Sequence, residues 1–206
     1  MLTSSPVTLF GIGSGIDLMN FGSIANSSTL AAIIMRILIT ITPLLFSLLT
    51  FAQVDNSKIT KIRKAVEQIN KDSGYTIKKL ESEEFLEQTP DNGAELTGYF
   101  KNGQLIKITE WIGLSSCINI TEYYLQANKL IFTYTKGSES TYLDSLQTFD
   151  LTKLNMTMEC RFYFDNDKVI KTILNGATRC SGQPTADLSK EYLEECSRYK
   201  KLFVKK

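Results

Sequence analysis

Three stretches of the chain read alike: Tyr99-Phe100-Lys101-Asn102-Gly103-Gln104-Leu105-Ile106, Tyr124-Leu125-Gln126-Ala127-Asn128-Lys129-Leu130-Ile131 and Tyr163-Phe164-Asp165-Asn166-Asp167-Lys168-Val169-Ile170. They align without gaps on the pattern Tyr-apolar-x-x-x-Gln/Lys-apolar-Ile. In the first, Asn-Gly separates two apolar runs. That is a strong short-range hairpin signal, because both residues tolerate positive φ. The alignment predicts two-residue turns at 102–103, 127–128 and 166–167. In that register Phe100 faces Leu105, Leu125 faces Leu130 and Phe164 faces Val169. Tyr99 then faces Ile106, Tyr124 faces Ile131 and Tyr163 faces Ile170.

Period-2 alternation sorts the side chains onto two faces. Met156, Met158, Cys160, Phe162 and Phe164 share one, and Leu130, Phe132 and Tyr134 share one. The hairpin pairs make these coincide, so this face is expected to be the core. The opposite face carries Tyr99, Tyr124 and Tyr163. The units lie 25 and 39 residues apart. This spacing predicts a meander with an insert at 137–155, not a regular solenoid.

Helices are expected on either side. In residues 57–71, Ile59, Ile62, Val66 and Ile69 form one apolar stripe, with Ser57 as cap and Asp72-Ser73-Gly74 as stop. Residues 75–85 open with a strand, and 87–92 form a loop around Pro90. Residues 186–202 read as a C-terminal helix with Leu188, Tyr192 and Cys196 on one side. The fold class is therefore α+β: an antiparallel meander of three or more hairpins packed with an N-terminal and a C-terminal helix.

The charge distribution breaks sharply near residue 52. Only Asp17 and Arg36 are charged before it, in a chain with 23 Lys+Arg and 22 Asp+Glu. Met35-Arg36, the apolar run 37–52 and Thr50-x-Ala52 match a secretory signal peptide, with cleavage before Gln53. Residues 35–52 are thus read as the signal and 53–206 as a single exported domain, periplasmic or secreted. The alternative is an uncleaved anchor, since residues 30–52 are long enough to span a membrane. Residues 1–34 add no basic residue before the run and are expected to be a non-native upstream extension, with Met35 the start. No Cys follows the cut, which argues against a lipoprotein anchor.

The signal ending Phe51-Ala52-Gln53, the helix ITKIRKAVEQIN, and the segments ELTGYFKNGQLIKI, TEYYLQANKLIFTY and RFYFDNDKVIKTIL together resemble a group of small exported bacterial proteins, from Gram-negative species. The resemblance covers most of 53–175. It implies export and this fold, but that group has no assigned activity, so it carries over no site. GYFKNGQL alone is similar to a MORN-type repeat, though the spacing is irregular and the second Gly is missing.

Composition excludes several chemistries. The chain has no His, which removes Ser-His-Asp and Cys-His nucleophile arrangements. A net charge of +1 gives no electrostatic basis for binding nucleic acid or an anionic membrane. No Walker loop, Rossmann fingerprint or C-x-x-C pair is present, and Gly11–Gly15 lacks the Lys-Ser/Thr a phosphate loop needs. No cofactor is implied.

All four cysteines, Cys117, Cys160, Cys180 and Cys196, lie in the exported part, which favours disulfides. Cys180–Cys196 is the local pairing, leaving Cys117 and Cys160. Those two share a face by parity, but a plain meander puts a strand between them. They would then lie about 9.6 Å apart, two strand spacings, unless the insert re-routes the third hairpin. Spacings of 43, 20 and 16 contain no zinc knuckle, so no metal is expected.

Carboxylates are the remaining acid–base resource. Glu81, Glu83, Glu84 and Glu87 cluster, and Glu110 and Glu122 lie in strands, where Lys107 and Lys129 are available as ion-pair partners. The leading expectation is a non-enzymatic exported binding protein. It would act through a sheet face or edge on another envelope or extracellular protein, with Tyr99, Tyr124, Tyr163 and Trp111 as contacts. The bland alternative buries those aromatics under the N-terminal helix. The runner-up is a carboxylate-dependent hydrolase of a cell-envelope polymer, and a third class is a structural envelope protein.

Overall fold

In a computed structural model, residues 56–204 are described. The expectations for 1–34, for the signal at 35–52 and for the anchor alternative fall outside them. Among the described residues, no helix is long and apolar enough to cross a membrane. The chain opens with helix α1 over residues 56–71. Seven strands follow: β1 (Thr76–Glu81), β2 (Ala94–Lys101), β3 (Gln104–Gly113), β4 (Cys117–Gln126), β5 (Lys129–Leu143), β6 (Thr148–Asp165) and β7 (Lys168–Gly176). They form one antiparallel sheet in sequential order. A single-turn helix α2 (Ser82–Phe85) follows β1, and α3 (Leu188–Val204) closes the described chain. The α+β meander expected from the repeat is the observed fold. The 137–155 insert re-routes nothing; it lengthens β5 and β6 into a two-stranded ribbon.

The three turns have positive φ at both central residues: Asn102 and Gly103, Ala127 and Asn128, Asn166 and Asp167. Positive φ at both positions matches the right-handed strand twist, so each hairpin closes in two residues. Phe100 pairs with Leu105, Leu125 with Leu130 and Phe164 with Val169, as expected. The next pairs differ. Tyr99 is opposite Lys107, Tyr124 opposite Phe132 and Tyr163 opposite Lys171. The repeat's Ile (Ile106, Ile131, Ile170) is therefore an extra residue in each returning strand, a β-bulge. Pairing between neighbouring hairpins stops at the same level, at Lys107–Tyr124 and Phe132–Tyr163. Beyond the bulges no ladder pairing joins the three tips, and Lys129 reaches across from the second to Asn166 of the third.

The bulge corrects the predicted faces. Leu130 joins the core beneath α3, together with Met158, Cys160, Phe162 and Phe164. One inserted residue turns every later side chain of the strand to the other face. Phe132 and Tyr134 consequently belong to a second cluster, with Tyr124 and Tyr163, on the other side of the sheet. A similar extra residue, Thr157, lies between Met158 and Met156, and Met156 is 60 % exposed rather than core.

Each face has its helix. The α1 stripe Ile59, Ile62, Val66 and Ile69 packs on Tyr124, Phe132 and Tyr163, as its periodicity predicts. α3 buries Tyr192, Cys196, Tyr199 and Phe203 on the opposite face. Tyr199 and Phe203 continue the expected stripe by two turns. Gly98 of β2 lets Phe203 approach the sheet: a Cβ there would lie 2.9 Å from the ring.

The cysteine pairing differs from the expected one. Cys117 is bonded to Cys180, with Cα atoms 6.4 Å apart, while Cys160 and Cys196 are buried free thiols. The segment after β7 turns back across the α3 face of the sheet. Thr178 settles on Gly137 of β5, and Arg179 donates through its backbone N–H and side chain to Glu139, the cross-strand partner of Cys117. Cys180 is thus delivered to the start of β4, and Cys180–Cys196 does not form. β5 lies between the strands of Cys117 and Cys160, and Cys160 is level with Thr121 rather than Cys117, so the two are farther apart than the two strand spacings expected and do not pair.

Candidate binding face

α1 runs across the strands near the hairpin ends and covers only that part of its face. Its N-terminal turn is tied by Lys58 to Asp165 on β6. Arg63 Nε donates to the Tyr163 hydroxyl at 3.3 Å. At the far end the Asn70 amide lies 3.0 Å from Tyr124 Oη, and Asp72 pairs with Lys101 on β2. The apolar stripe supplies the burial, and these polar ties fix where the helix lies.

Two of the four aromatic residues expected to contact a partner, Tyr124 and Tyr163, sit in this interface. Tyr124 is 1 % exposed and Tyr163 3 %. The Phe132 ring lies 4.8 Å from that of Tyr163 and 5.6 Å from that of Tyr124. Tyr124 donates to Glu122 Oε2 at 2.6 Å, and burial pushes its hydroxyl pKa well up. Tyr99 is half-buried, edge-on to Tyr75 at 6.1 Å. Lys107 Nζ stands 5.7 Å from the Tyr99 ring centroid and 4.9 Å from that of Tyr124, while donating to Glu122 at 2.7 Å. The bland alternative therefore holds for Tyr124 and Tyr163: they anchor α1 and are closed to a partner.

Trp111 is placed differently. It lies on the same face as the tyrosines but toward the end of the sheet that α1 leaves uncovered, opposite Ile120 on β4. Directly opposed residues share a face. Two cross-strand rows thus run over this half: Glu95–Trp111–Ile120–Lys136–Glu159 and Gly113–Ile118–Ser138–Met156. The Trp111 ring lies along Gly113, where a Cβ would come within 2.6 Å of it. Leu154, paired with Ser140, continues the stripe at 39 % exposure. Tyr142 and Leu146 carry exposed apolar surface on to the ribbon tip. Among the described residues no helix packs on this stripe. Alternation alone does not show that it is open, since that depends on where α1 ends its crossing; the signal available in the sequence was the isolated run Ile118-x-Ile120.

The sheet edges are less suited to pairing. β1 presents Lys78 and Lys79, and β7 presents Lys168 and Lys171; lysines on edge strands discourage strand addition.

The acidic residues hold structure. Glu81 and Glu84 form a reciprocal capping box on α2, and Glu83 accepts from Thr89. Glu87 is exposed. Glu122 pairs with Lys107 as expected, whereas Lys129 reaches Asn166 instead of a carboxylate. Glu81 and Glu95, cross-strand neighbours, line a shallow groove of about 320 Å³ beside Trp111. Glu95 is hydrogen-bonded by Lys79 and Thr97, which holds its carboxyl below the usual range, the opposite of what a general acid needs. Glu110 is the surprise: it points into the α3 core. Parity with Ile108 and Ile112 was the clue. Its carboxylate accepts from Tyr199, while Glu195 accepts from Tyr123 at 2.6 Å. Burial first, then the Glu195 charge, pushes Glu110 up to about 7.

Comparison of the chain with known protein families, with curated proteins and with solved structures finds no match.

Proposed function

We propose that this protein is an exported, non-enzymatic binding protein whose contact surface is the uncovered half of the α1 face. The observation that supports this most strongly is the half-buried cluster Trp111, Ile118 and Ile120, with exposed Met156 and Leu154 across β5, on the half of the face that α1 leaves uncovered. Apolar surface left partly open and edged by charge is a mark of interaction sites. Lys79, Glu95 and Glu159 supply that edge, and Lys136 stands within the patch. Trp111, at the β3 end of this patch, is of the residue type that most often dominates binding energy. Export follows from the charge break near residue 52 and the signal-like run, and the Cys117–Cys180 bridge is compatible with an oxidising compartment. The partner is read as another envelope or extracellular protein.

The test is capture of partner from envelope extract by the wild-type protein and by Trp111→Ala and Ile120→Lys. A partner retained by the wild type and lost by both variants, at unchanged melting behaviour, supports the reading. Equal retention by all three removes it.

A further inference from the structure

The splayed fingertips leave a cleft of about 720 Å³ between the first and second hairpins, at the other end of the sheet from Trp111. It exists because pairing between β3 and β4 stops at Lys107–Tyr124, so the backbones of Gln104–Ile106 and Leu125–Gln126 diverge. Leu105, Ile106 and Leu125 form its floor. Ile69 of α1 and Phe203 of α3 close its two sides, which makes it a concave site reached from the turn end. A volume of this size falls within the range of about 300–1,000 Å³ common for small-ligand sites. The rim is basic: Lys101 stands on one side and Lys200 on the other. Lys101 is paired with Asp72, whereas Lys200 donates to the Asn128 carbonyl at 2.9 Å and has no carboxylate partner among the described residues.

We propose that this cleft binds an anionic amphiphile with a single aliphatic chain, of the fatty-acid class. The apolar floor takes the chain, and the Lys200 ammonium, already at the mouth beside a carbonyl, takes the carboxylate. Two cations against one carboxylate at the rim favour an acid over the alcohol or ammonium of equal chain length. The site shares no residue with the open stripe around Trp111, so the two readings stand or fall separately.

Calorimetric titration of the purified full-length protein with dodecanoate, dodecanol and dodecyltrimethylammonium, all below their micelle or solubility limits, tests this. Saturable one-site binding is expected, with dodecanoate about fivefold tighter than dodecanol, the upper range for an exposed charge pair. Lys200→Gln, a half-exposed change, should erase that difference and leave dodecanol unaffected. Ile106→Trp, which fills the floor, should abolish binding of both while the melting transition is retained. Should Ile106→Trp not fold, the Lys200→Gln comparison decides alone. Equal affinity for acid and alcohol, indifference to Lys200→Gln, or dimerisation in place of saturable ligand binding would each overturn the proposal.

Discussion

The Tyr199 hydroxyl donates to the Glu110 carboxylate across the interface between α3 and the sheet, where Glu110 is 6 % exposed. Glu195 and Tyr123 form a second hydrogen-bonded pair alongside, and Arg198 donates to Tyr199 Oη at 3.2 Å. The network places two acids in the core that carries α3.

Its consequence is a pH-dependent stability. Glu110 titrates near 7 in the folded state against 4.5 ordinarily, and Glu195 is raised in the same direction by burial. Between pH 4.5 and 7 the folded chain holds protons that the unfolded chain has released, so stability falls as pH rises. The contribution is full below pH 4.5 and lost above 7. Glu110→Gln should flatten this window and be more stable than wild type above pH 7, by about 3 kcal/mol at most. Urea melts at about pH 4.5, 6 and 7.5, chosen to bracket that window, check it; an unchanged slope in the variant contradicts it.

Tyr163→Ala and Phe164→Ala should destabilise alike, each by about 3–5 kcal/mol, because the two adjacent residues fill opposite cores. Urea melts of both variants decide. A Tyr163→Ala loss well under that of Phe164→Ala would show that α1 does not cover the tyrosines.

The protein should contain one disulfide and two thiols that alkylate only after denaturation. Peptide mapping should find Cys117 joined to Cys180, with Cys160 and Cys196 modified. The bridge closes a sequence separation of 63 residues. By chain-entropy arguments its reduction should cost about 4 kcal/mol. A Cys180–Cys196 peptide would contradict the path of the returning segment.

Gly137→Ala should destabilise by about 1–3 kcal/mol through overpacking. A Cβ there would meet the Thr178 methyl at 2.3 Å, so Thr178→Ser should recover part of the loss. Additive losses in the double mutant would mean that the two residues are not in contact.

The hairpins were legible because turn chemistry is local: Asn102-Gly103 announces its own geometry, and the two weaker turns share its offsets. α1 was legible from four apolar positions. The bulges were not, since an extra Ile in an apolar run leaves the alternation looking intact while Phe132 changes sides. Cys180 was misassigned for a related reason. Its partner is set by a segment that crosses β6 and β5 to reach β4, and nothing in the spacing of Cys180 and Cys196 records that path. Of the expected contacts, Trp111 lies in the open region and Tyr124 and Tyr163 do not. Which half of the face α1 covers follows from Lys58–Asp165 and Asp72–Lys101, long-range pairs that periodicity does not reveal.

If the stripe beside Trp111 is a partner's seat, a probe placed on it must touch that partner in the cell. Site-specific photocrosslinking in the producing cell reads this contact, with a benzophenone side chain placed at Ile118 and, as control, at Lys190 on the exposed side of α3. A discrete adduct is expected from position 118 and none from 190. No adduct from 118, or the same adducts from both positions, would contradict the assignment of this face.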